Sequence, residues 1–306
     1  MTTRQALIWA IKKLKSLERA AGHNDTPSLD AEILLAFVLK KPKEFLYAHF
    51  EKKLTLPQLA HFKKLISRRA KHEPVAYIIG HKEFFGLEFF VDKNVLIPRP
   101  ETEILVEEAI KKIQNTRYKI LNTIVVDAGT GSGCIAISLT KKLPNCLITK
   151  LPVQFFATEI SPDALRVAQK NKRRHKAAIT FLHGNLLEPF LKNLKSEILN
   201  LKSLIITANL PYLTTKQWRK TQPEIKKYEP RLALDGGPDG LKYYRQLLQQ
   251  IKLLVTRYAL RVTSIFEIDP SQTKRIIKLI RQHSPKAKIQ IKKDLAGRDR
   301  IIFTGI

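Results

Sequence analysis

The sequence predicts a doubly wound α/β domain that is preceded by a small helical bundle. From Asn122 onward, apolar runs of strand length alternate with segments of helical periodicity, as in a sheet whose strands are joined by helices. The first 75 residues show helical periodicity instead. A glycine-rich turn follows the first apolar run after Asn122. In a doubly wound sheet, such a turn lets a ligand approach the backbone. A chain of 306 residues is long enough to give each domain its own core.

The composition indicates a globular protein. Hydrophobic residues make up 44% of the chain and charged residues 27%. No apolar run approaches the roughly 18 residues that a membrane-spanning helix needs, and the N-terminus lacks the apolar core of a signal peptide. We therefore expect a soluble, cytoplasmic protein. Two cysteines, Cys134 and Cys146, cannot form a disulfide framework, so reduced thiols are expected.

The net charge of +28 is unusual, and it comes partly from long stretches without acidic residues, such as 164–187 and 270–293. Such a charge is compatible with contact to nucleic acid or to a ribosome-associated partner. Surface helices that are basic throughout explain it better, because the charge is spread over both halves of the chain. Charge alone therefore names no partner.

Three helices are predicted in the N-terminal bundle. Residues 4–20 carry apolar side chains at helical spacing, and Thr26-Pro27-Ser28 is typical of the start of a second helix. Thr55 and Gln58 have capping-box spacing, which predicts a third helix that runs to about Arg69. The bundle shows no catalytic constellation, so both partner recognition and a purely structural role remain open.

A connector is predicted between the two domains, over residues 76–103. The segment 83–91 is typical of a hairpin that turns near Gly86. In the run 97–103, two prolines hold the chain extended and a helix begins near Glu101. Arg99 lies between those prolines, where it either packs or presents its charge to a ligand.

The α/β domain occupies residues 104–306. It shows neither internal repeats nor a low-complexity linker. Strands are predicted near 122–127, 153–158, 178–182, 203–208, 261–267, 286–291 and 299–304, and helices near 132–142, 162–173, 240–257 and 271–282.

The glycine-rich turn, which we call the glycine loop (residues 127–133), has the spacing Gly-x-Gly-x-Gly. This spacing matches neither the dinucleotide fingerprint nor the P-loop. Glu159 closes the next strand and is placed to accept hydrogen bonds from both hydroxyls of a ribose, although a favourable charge at a helix N-terminus is an alternative role. Asn185 and Leu186 follow the third strand, where an adenine amino group could be bound. Because parallel strands open onto one crevice at their carboxyl ends, these residues should lie together.

The fourth strand ends in Asn209-Leu210-Pro211-Tyr212, which we call the acceptor corner. The Asn209 side-chain oxygen and the Leu210 carbonyl can hold a planar NH2 group by its two hydrogens, and Tyr212 can pack over its face. Neither Asn209 nor Tyr212 is a plausible base at neutral pH, so the proton is expected to leave after the transfer. No metal-ligand spacing is visible among the eight histidines. These features predict a methyltransferase that uses S-adenosylmethionine and modifies an amide or amino nitrogen.

The motifs resemble those of the PrmC/HemK family, the protein-(glutamine-N5) methyltransferases that modify peptide chain release factors. The resemblance covers nearly the whole chain. Asn-Pro-Pro-Tyr is also found in adenine-N6 methyltransferases, whereas the proline–arginine–proline and Glu-Pro…Gly-Gly…Asp-Gly-Leu motifs are more specific. The residues that carry the resemblance are 30–35, 68–69, 73–80, 84–87, 97–103, 229–237, 239–241 and 294–300, together with the glycine loop and the acceptor corner.

The resemblance implies a helical substrate-recognition domain over residues 1–75, a seven-stranded class I methyltransferase domain, and S-adenosylmethionine as donor, with S-adenosylhomocysteine as product. The substrate would be the glutamine in the Gly-Gly-Gln loop of release factors, and a metal-free monomer that does not contact membranes is expected. Residues that would hold the cofactor are Asp127, Gly129, Thr130, Gly131, Ser132, Gly133, Glu159, Asn185, Leu186 and Asn209, and those that would hold the substrate are Asn209, Leu210, Pro211, Tyr212 and Arg99.

Three positions depart from the family pattern. Leu210 replaces the first proline of Asn-Pro-Pro-Tyr, which removes a fixed φ but leaves the carbonyl available, so slower but retained catalysis is expected. Glu159 replaces an aspartate and remains competent. Asn185 replaces a frequent aspartate, and weaker cofactor binding is expected.

Two alternative functions follow from the same residues. The acceptor corner and the basic charge also suit an adenine-N6 methyltransferase that acts on DNA or RNA, although the chain shows no separate target-recognition domain. An inactive RNA- or ribosome-binding relative would result if Leu210 abolished activity, and failure to bind S-adenosylmethionine would favour it.

Overall fold

A computed structural model describes residues 1–21, 26–116, 123–143, 153–193, 201 and 203–306, so Cys146 lies outside the described residues. These residues form two compact units. The first unit comprises Met1–His81 and Thr221–Glu229, and the second comprises Lys82–Lys220 and Pro230–Ile306. The short segment 221–229 lies within the range predicted for the methyltransferase domain, but it belongs to the first unit.

The first unit is a helical bundle built around a continuous apolar core. Its third long helix begins at Thr55, where the predicted capping box with Gln58 is present. Phe62 and Ile66 on that helix are fully buried, as are Leu34 and Leu35 on the preceding long helix. The helices of this unit are Thr3–Ala21, Pro27–Leu39, Lys43–Ala48, Leu56–Arg69, Val75–Ile79 and Pro223–Tyr228.

Arg69 ties the segment 221–229 to the bundle. Its guanidinium is buried and donates to Asp30 Oδ2 at 2.5 Å and to Glu224 Oε2 at 2.8 Å. Tyr228 also donates its hydroxyl to the carbonyl of Lys71 at 3.0 Å. These contacts explain why residues that follow the fourth predicted strand complete the N-terminal bundle.

The second unit contains a seven-stranded sheet with the strand order β5-β4-β3-β6-β7-β9-β8. Strands β3 to β7 are parallel, and β9 runs antiparallel to both β7 and β8. The predicted α/β fold with seven strands is confirmed. The strands are β1 (His81–Phe84), β2 (Leu87–Phe90), β3 (Thr123–Ala128), β4 (Gln154–Glu159), β5 (Thr180–His183), β6 (Ser203–Ala208), β7 (Arg261–Glu267), β8 (Lys288–Lys293) and β9 (Asp299–Gly305), of which β1 and β2 form the predicted hairpin.

Each face of the large sheet carries its own core, because alternate strand residues point to opposite faces. In β3, Ile124 and Val126 pack on one face and Val125 on the other. The helices that cover the sheet and connect its strands are Thr102–Thr116, Cys134–Lys142, Pro162–His175, Glu188–Asn193, Thr215–Arg219, Lys242–Tyr258 and Thr273–His283, and short 3₁₀ turns lie at Arg231–Ala233 and Pro270–Gln272.

The chain order reverses at β3, which lies between β4 and β6. In a doubly wound sheet, the loops at the carboxyl ends of the strands open a crevice at such a point. Both the glycine loop and the acceptor corner therefore lie at this edge. In the described part of the chain, no helix is both long and apolar enough to span a bilayer.

Candidate functional site

The glycine loop is held from below by Asp127. This buried carboxylate accepts hydrogen bonds from Thr130 Oγ1 at 2.6 Å and from Thr207 Oγ1 at 2.9 Å. Burial raises the pKa of Asp127 to about 6, although both hydroxyls act in the opposite direction. The amides of Gly129 and Thr130 donate to the carbonyl of Thr158, each at 3.0 Å. Asp127 therefore shapes the loop rather than lining the crevice.

Gly131 turns an open face of the loop toward the crevice. Its φ is +56°, and a Cβ placed on it would meet no heavy atom within 4 Å. Gly133 differs, because a Cβ there would lie 3.1 Å from Ile137 Cδ1 and near Ala168. Gly131 thus leaves room for a ligand, whereas Gly133 permits close packing at the start of a helix.

Glu159 lies beside this loop with its side chain almost entirely buried. Its Oε2 accepts from the amide of Gly131 at 2.8 Å, and its Oε1 accepts from the amide of Ser161 at 2.9 Å. Burial raises the pKa of Glu159, and the backbone hydrogen bonds oppose that effect. A carboxylate has about four acceptor sites, so Glu159 keeps acceptor capacity for a ligand hydroxyl beside these backbone bonds.

The loop after β5 carries the predicted adenine-binding pair. Asn185 Nδ2 donates to Glu188 Oε1 at 3.3 Å. Leu186 is buried and has a φ of +49°, a left-handed conformation that is uncommon for leucine. Both residues line the crevice.

Leu210 joins the acceptor corner to the glycine loop. It is only 2% exposed, and its Cδ2 lies 3.3 Å from the position that a Cβ would occupy on Gly129. The leucine that replaces the family's proline therefore packs directly against the loop. The exchange of proline for leucine at this position therefore changes the packing of the side chain as well as the stiffness of the backbone.

The Asn209 side chain has a defined orientation. Its Nδ2 donates to Thr102 Oγ1 at 3.0 Å, and Thr102 is buried at the start of a helix. The Thr102 hydroxyl also lies near the carboxyl group of Glu267, at the end of β7, and acts to lower the pKa of that group. Burial raises the pKa of Glu267 to about 7, with Thr102 and the positive charge of Arg300 acting in the opposite direction.

Tyr212 and the residues that follow form the back of the acceptor corner. The Tyr212 ring packs on the hydrophobic core, and its carbonyl accepts from Gln272 Nε2 at 2.8 Å. Burial raises the pKa of Tyr212 to about 12, so the phenol keeps its proton at neutral pH. Gly236 lies so close that a Cβ on it would come within 2.5 Å of the Pro211 carbonyl oxygen.

The crevice has a volume of about 230 Å³ and brings together most of the predicted site residues. Asp127, Gly133 and Tyr212 do not line it: the first lies beneath the loop, the second in the helix start and the third against the core. The predicted residues that line it are Gly129, Thr130, Gly131, Ser132, Glu159, Asn185, Leu186, Asn209, Leu210, Pro211 and Arg99.

Sequence reasoning missed several residues of this site. Thr102 and Tyr243 line the crevice, as do the segments 93–96 and 230–233 in part. Glu267 could have been found from the rule that identified Glu159, because each is an acidic residue that closes an apolar strand. The segments 93–96 and 230–233 carry no comparable pattern in the sequence, because only the fold brings them to the crevice.

Comparison with known proteins places these features in a family. The model of the family described as "PrmC N-terminal domain" matches residues 5–80. A protein of Geobacter sulfurreducens is 40% identical over 249 residues, which cover 80% of each chain, and one of Moorella thermoacetica is 38% identical over 98% of this chain and 97% of its own. A protein of Bacillus anthracis is 32% identical over the whole of both chains. All three are named "Release factor glutamine methyltransferase".

The fold is also shared with a solved structure of low sequence similarity. The crystal structure of the hMettl16 catalytic domain in complex with the MAT2A 3′UTR hairpin 6 matches with a TM-score of 0.50 and 16% identity, over 82% of each chain. At that identity the likeness extends to the fold alone.

Proposed function

This chain belongs to the family of release factor glutamine methyltransferases, and we propose that it transfers a methyl group from S-adenosylmethionine to the side-chain amide N5 of the glutamine in the Gly-Gly-Gln loop of peptide chain release factors. One observation carries the proposal: residues 209–211 of the acceptor corner and residues 129–132 of the glycine loop line the same crevice. An acceptor amide held at Asn209 and a donor held at the loop would therefore meet there.

The residues at the glycine loop fit an adenosine-containing methyl donor. Gly131 leaves space at the loop surface, and Glu159 offers two buried carboxylate oxygens beside it. Glu159 would accept hydrogen bonds from the ribose hydroxyls, and Asn185 and Leu186 would hold the adenine. When bound, S-adenosylmethionine supplies a methyl group attached to a positively charged sulfur.

The acceptor corner would orient the glutamine amide. An amide nitrogen is a poor nucleophile because its lone pair is delocalised into the carbonyl group. Asn209 Oδ1 and the Leu210 carbonyl would accept its two hydrogens, which aligns the nitrogen and raises its electron density. Arg99 also lines the crevice and is proposed to contact the substrate.

Proton removal needs no base from the acceptor corner. Tyr212 has a pKa of about 12 and is held as a neutral phenol. The Asn209 amide does not titrate in the neutral range. The rate should therefore depend on alignment in the crevice, and the proton should leave after the transfer.

The proposal is tested with methyl-labelled S-adenosylmethionine and three acceptors in parallel: a release factor, the same factor with its loop glutamine changed to alanine, and mixed DNA and RNA. Label on the intact factor alone is expected. Label on nucleic acid would overturn the proposal in favour of an adenine-N6 methyltransferase. Failure to bind the cofactor, with no label on any acceptor, would favour the inactive relative.

We also propose that the first unit recognises the release factor and that the protein acts as a monomer. The first proposal is supported by the match of residues 5–80 to the PrmC N-terminal domain. Substitutions in the first unit at residues that contact the release factor should raise the KM for the release factor and leave the affinity for the cofactor unchanged.

A basic groove favours nucleic acid as a second partner. It has a volume of about 730 Å³ and lies at the end of the sheet opposite the crevice, where β7 and β8 begin. Among the described residues that line it, none has an acidic side chain. The positive side chains that line it belong to Lys252, Arg261, Lys286 and Lys288. We propose that phosphodiester groups of RNA bind here.

RNA binding at the groove can be separated from the effect of the overall charge. Changing Lys252, Arg261, Lys286 and Lys288 to glutamine should weaken binding of a single-stranded RNA about tenfold or more, measured by fluorescence anisotropy at fixed salt. The control changes four exposed lysines of the first unit, Lys43, Lys53, Lys64 and Lys71, to glutamine and removes the same charge. Equal weakening in both variants would exclude a site at the groove.

A further inference from the structure

The loop that follows β5 holds its crevice residues in a conformation that needs support. Leu186 lines the crevice with a φ of +49°, which leucine adopts only at a cost in free energy. If Leu186 relaxed to a negative φ, the peptide plane between Leu186 and Leu187 would turn, and the loop would present different groups to a ligand. The observed conformation therefore depends on contacts that fix this plane.

Gln250 fixes that peptide plane from a neighbouring helix. It lies on the helix Lys242–Tyr258 and is 8% exposed, and its Oε1 accepts from the amide of Leu187 at 2.7 Å. A backbone amide can only donate, so the oxygen of the Gln250 side chain, and not its nitrogen, faces Leu187. Leu187 is fully buried, so solvent does not compete for its amide.

The other end of the loop is tied to the residue that is proposed to hold the ribose. The amide of Gly184 donates to the backbone carbonyl of Glu159 at 2.9 Å. Asn185 and Leu186 thus lie between two anchors, Glu159 on one side and Gln250 on the other. Because an adenosine would extend from Glu159 to these two residues, both anchors set the distance between its ribose and adenine positions.

The alternative is a purely structural role for Gln250. Leu187 precedes the helix Glu188–Asn193, and the first amides of a helix have no acceptor within it. Satisfying one such amide would stabilise the fold and leave ligand affinity unchanged. The place of the bond favours a role in binding, because it falls on the peptide directly after a crevice residue that is held at positive φ.

We propose that Gln250 is a positioning residue that holds Asn185 and Leu186 in the conformation that binds the adenine of S-adenosylmethionine. The inference rests on the proposed function for the place of the adenine. Gln250 does not itself line the crevice and acts through the loop. Its effect is on the affinity for the cofactor, with kcat at saturating cofactor left unchanged.

The affinity test uses Gln250→Met, which keeps the length of the side chain and removes the acceptor. We expect the dissociation constant of S-adenosylhomocysteine, measured by calorimetry, to rise about three- to tenfold, since one buried hydrogen bond is lost. Gln250→Glu should bind within about twofold of wild type, because its carboxyl group keeps an oxygen acceptor in either protonation state.

Gln246→Met is the matched control for this substitution. Gln246 lies one turn earlier on the same helix, and in the described part of the chain its buried Oε1 has no hydrogen-bond partner. Its affinity should stay within about twofold of wild type. An equal loss in Gln246→Met, or a Gln250→Glu variant as weak as Gln250→Met, would overturn the proposal. A Gln250→Met variant that is less stable but binds with wild-type affinity would establish the structural role instead.

A measurement without ligand tests the hydrogen bond itself. In protein labelled with 15N-leucine, the Leu187 amide signal can be assigned from its loss in Leu187→Met. This amide should exchange slowly with solvent in wild type, Gln250→Glu and Gln246→Met, and faster in Gln250→Met. Rapid exchange in wild type would overturn the inference even if Gln250→Met did not fold. Neither measurement needs an acceptor, so failure of wild type to methylate the release factor would overturn the proposed function and not this inference.

Discussion

Leu210 contributes to the site through both its backbone and its side chain, and a proline at this position would keep only the backbone contribution. As a backbone residue, it lines the crevice ahead of Pro211. As a side chain, it is buried and packs beside Gly129 in the glycine loop. A proline would restore the fixed φ of the family pattern but would remove most of this packing.

Leu210→Pro should therefore leave kcat on the release factor unchanged or higher, and lower the free energy of unfolding by about 1–2 kcal/mol through lost burial. Steady-state kinetics and thermal unfolding measure the two effects. Leu210→Ala is the control, because it loses the packing without gaining the fixed φ. A large fall in kcat for Leu210→Pro alone would show that catalysis depends on the leucine itself.

Glu267 should make stability depend on pH. Its pKa is raised from 4.5 to about 7 in the folded protein, so the folded state keeps a proton that the unfolded chain has released between these values. The free energy of unfolding therefore falls as the pH rises from about 4.5 to about 7, and the loss is complete above that range. Glu267→Gln removes this dependence.

Glu267→Gln should be more stable than wild type at pH 8, by up to about 3 kcal/mol, and differ much less at pH 5. Thermal unfolding at the two pH values measures the difference. Glu51→Gln, a change at an exposed position, should show no such dependence. If the stability of Glu267→Gln relative to wild type were lower at pH 8 than at pH 5, the raised pKa of Glu267 would be contradicted.

At the scale of elements, the turn between the acceptor corner and the helix Lys242–Tyr258 sets the position of the corner. The amide of Gly236 donates to the carbonyl of Leu213 at 2.8 Å, and its Cα approaches the Pro211 carbonyl too closely for any side chain. The Gly-Gly motif in the family pattern thus has a steric cause.

Gly236→Ala should displace Pro211 and lower kcat about tenfold or more, because misalignment of the reacting atoms by less than 1 Å is costly. Gly305→Ala is a control, since a Cβ there meets no heavy atom within 4 Å. Equal kinetics for the two variants would show that the corner can move without loss.

Most elements could be predicted because their signals are local. The apolar runs that became β3 to β9 and the capping box at Thr55 depend only on neighbouring residues. The helices Lys43–Ala48, Val75–Ile79 and Pro223–Tyr228 were missed, since five or six residues are too few to show a helical period. Thr102 and Glu267 were missed for a different reason. Thr102 lies 107 residues before its hydrogen-bond partner Asn209, and Glu267 lies at the site only because β7 is beside β6; a single sequence gives neither relation.

At the scale of the whole molecule, the cluster of the buried Asp30 and Arg69 with the partly buried Glu224 should be essential to the first unit. Arg69→Met leaves two carboxylates near each other without their shared cation, and we expect the free energy of unfolding to fall by about 3–5 kcal/mol. Denaturant unfolding followed by circular dichroism measures this. Arg4→Met breaks the exposed contact with Glu51 and should cost less than about 1 kcal/mol. Similar values for the two variants would contradict the role of the cluster.

The first unit is discontinuous in sequence, and this has a consequence for biosynthesis. Strands β3 to β6 precede Thr221 in the chain, so the helix Pro223–Tyr228 and the carboxylate of Glu224 leave the ribosome only after four of the seven strands of the large sheet. 

Synthesis therefore begins with most of the bundle and continues with β3, β4, β5 and β6 of the large sheet. The last helix of the bundle follows, and the remaining strands of the sheet are made after it. During translation, the nascent bundle therefore holds Arg69 and Asp30 without Glu224 while the first half of the sheet is already outside the ribosome. A chain released early, before residue 229, should expose the site where this helix packs and should be a preferred substrate for chaperones and proteases.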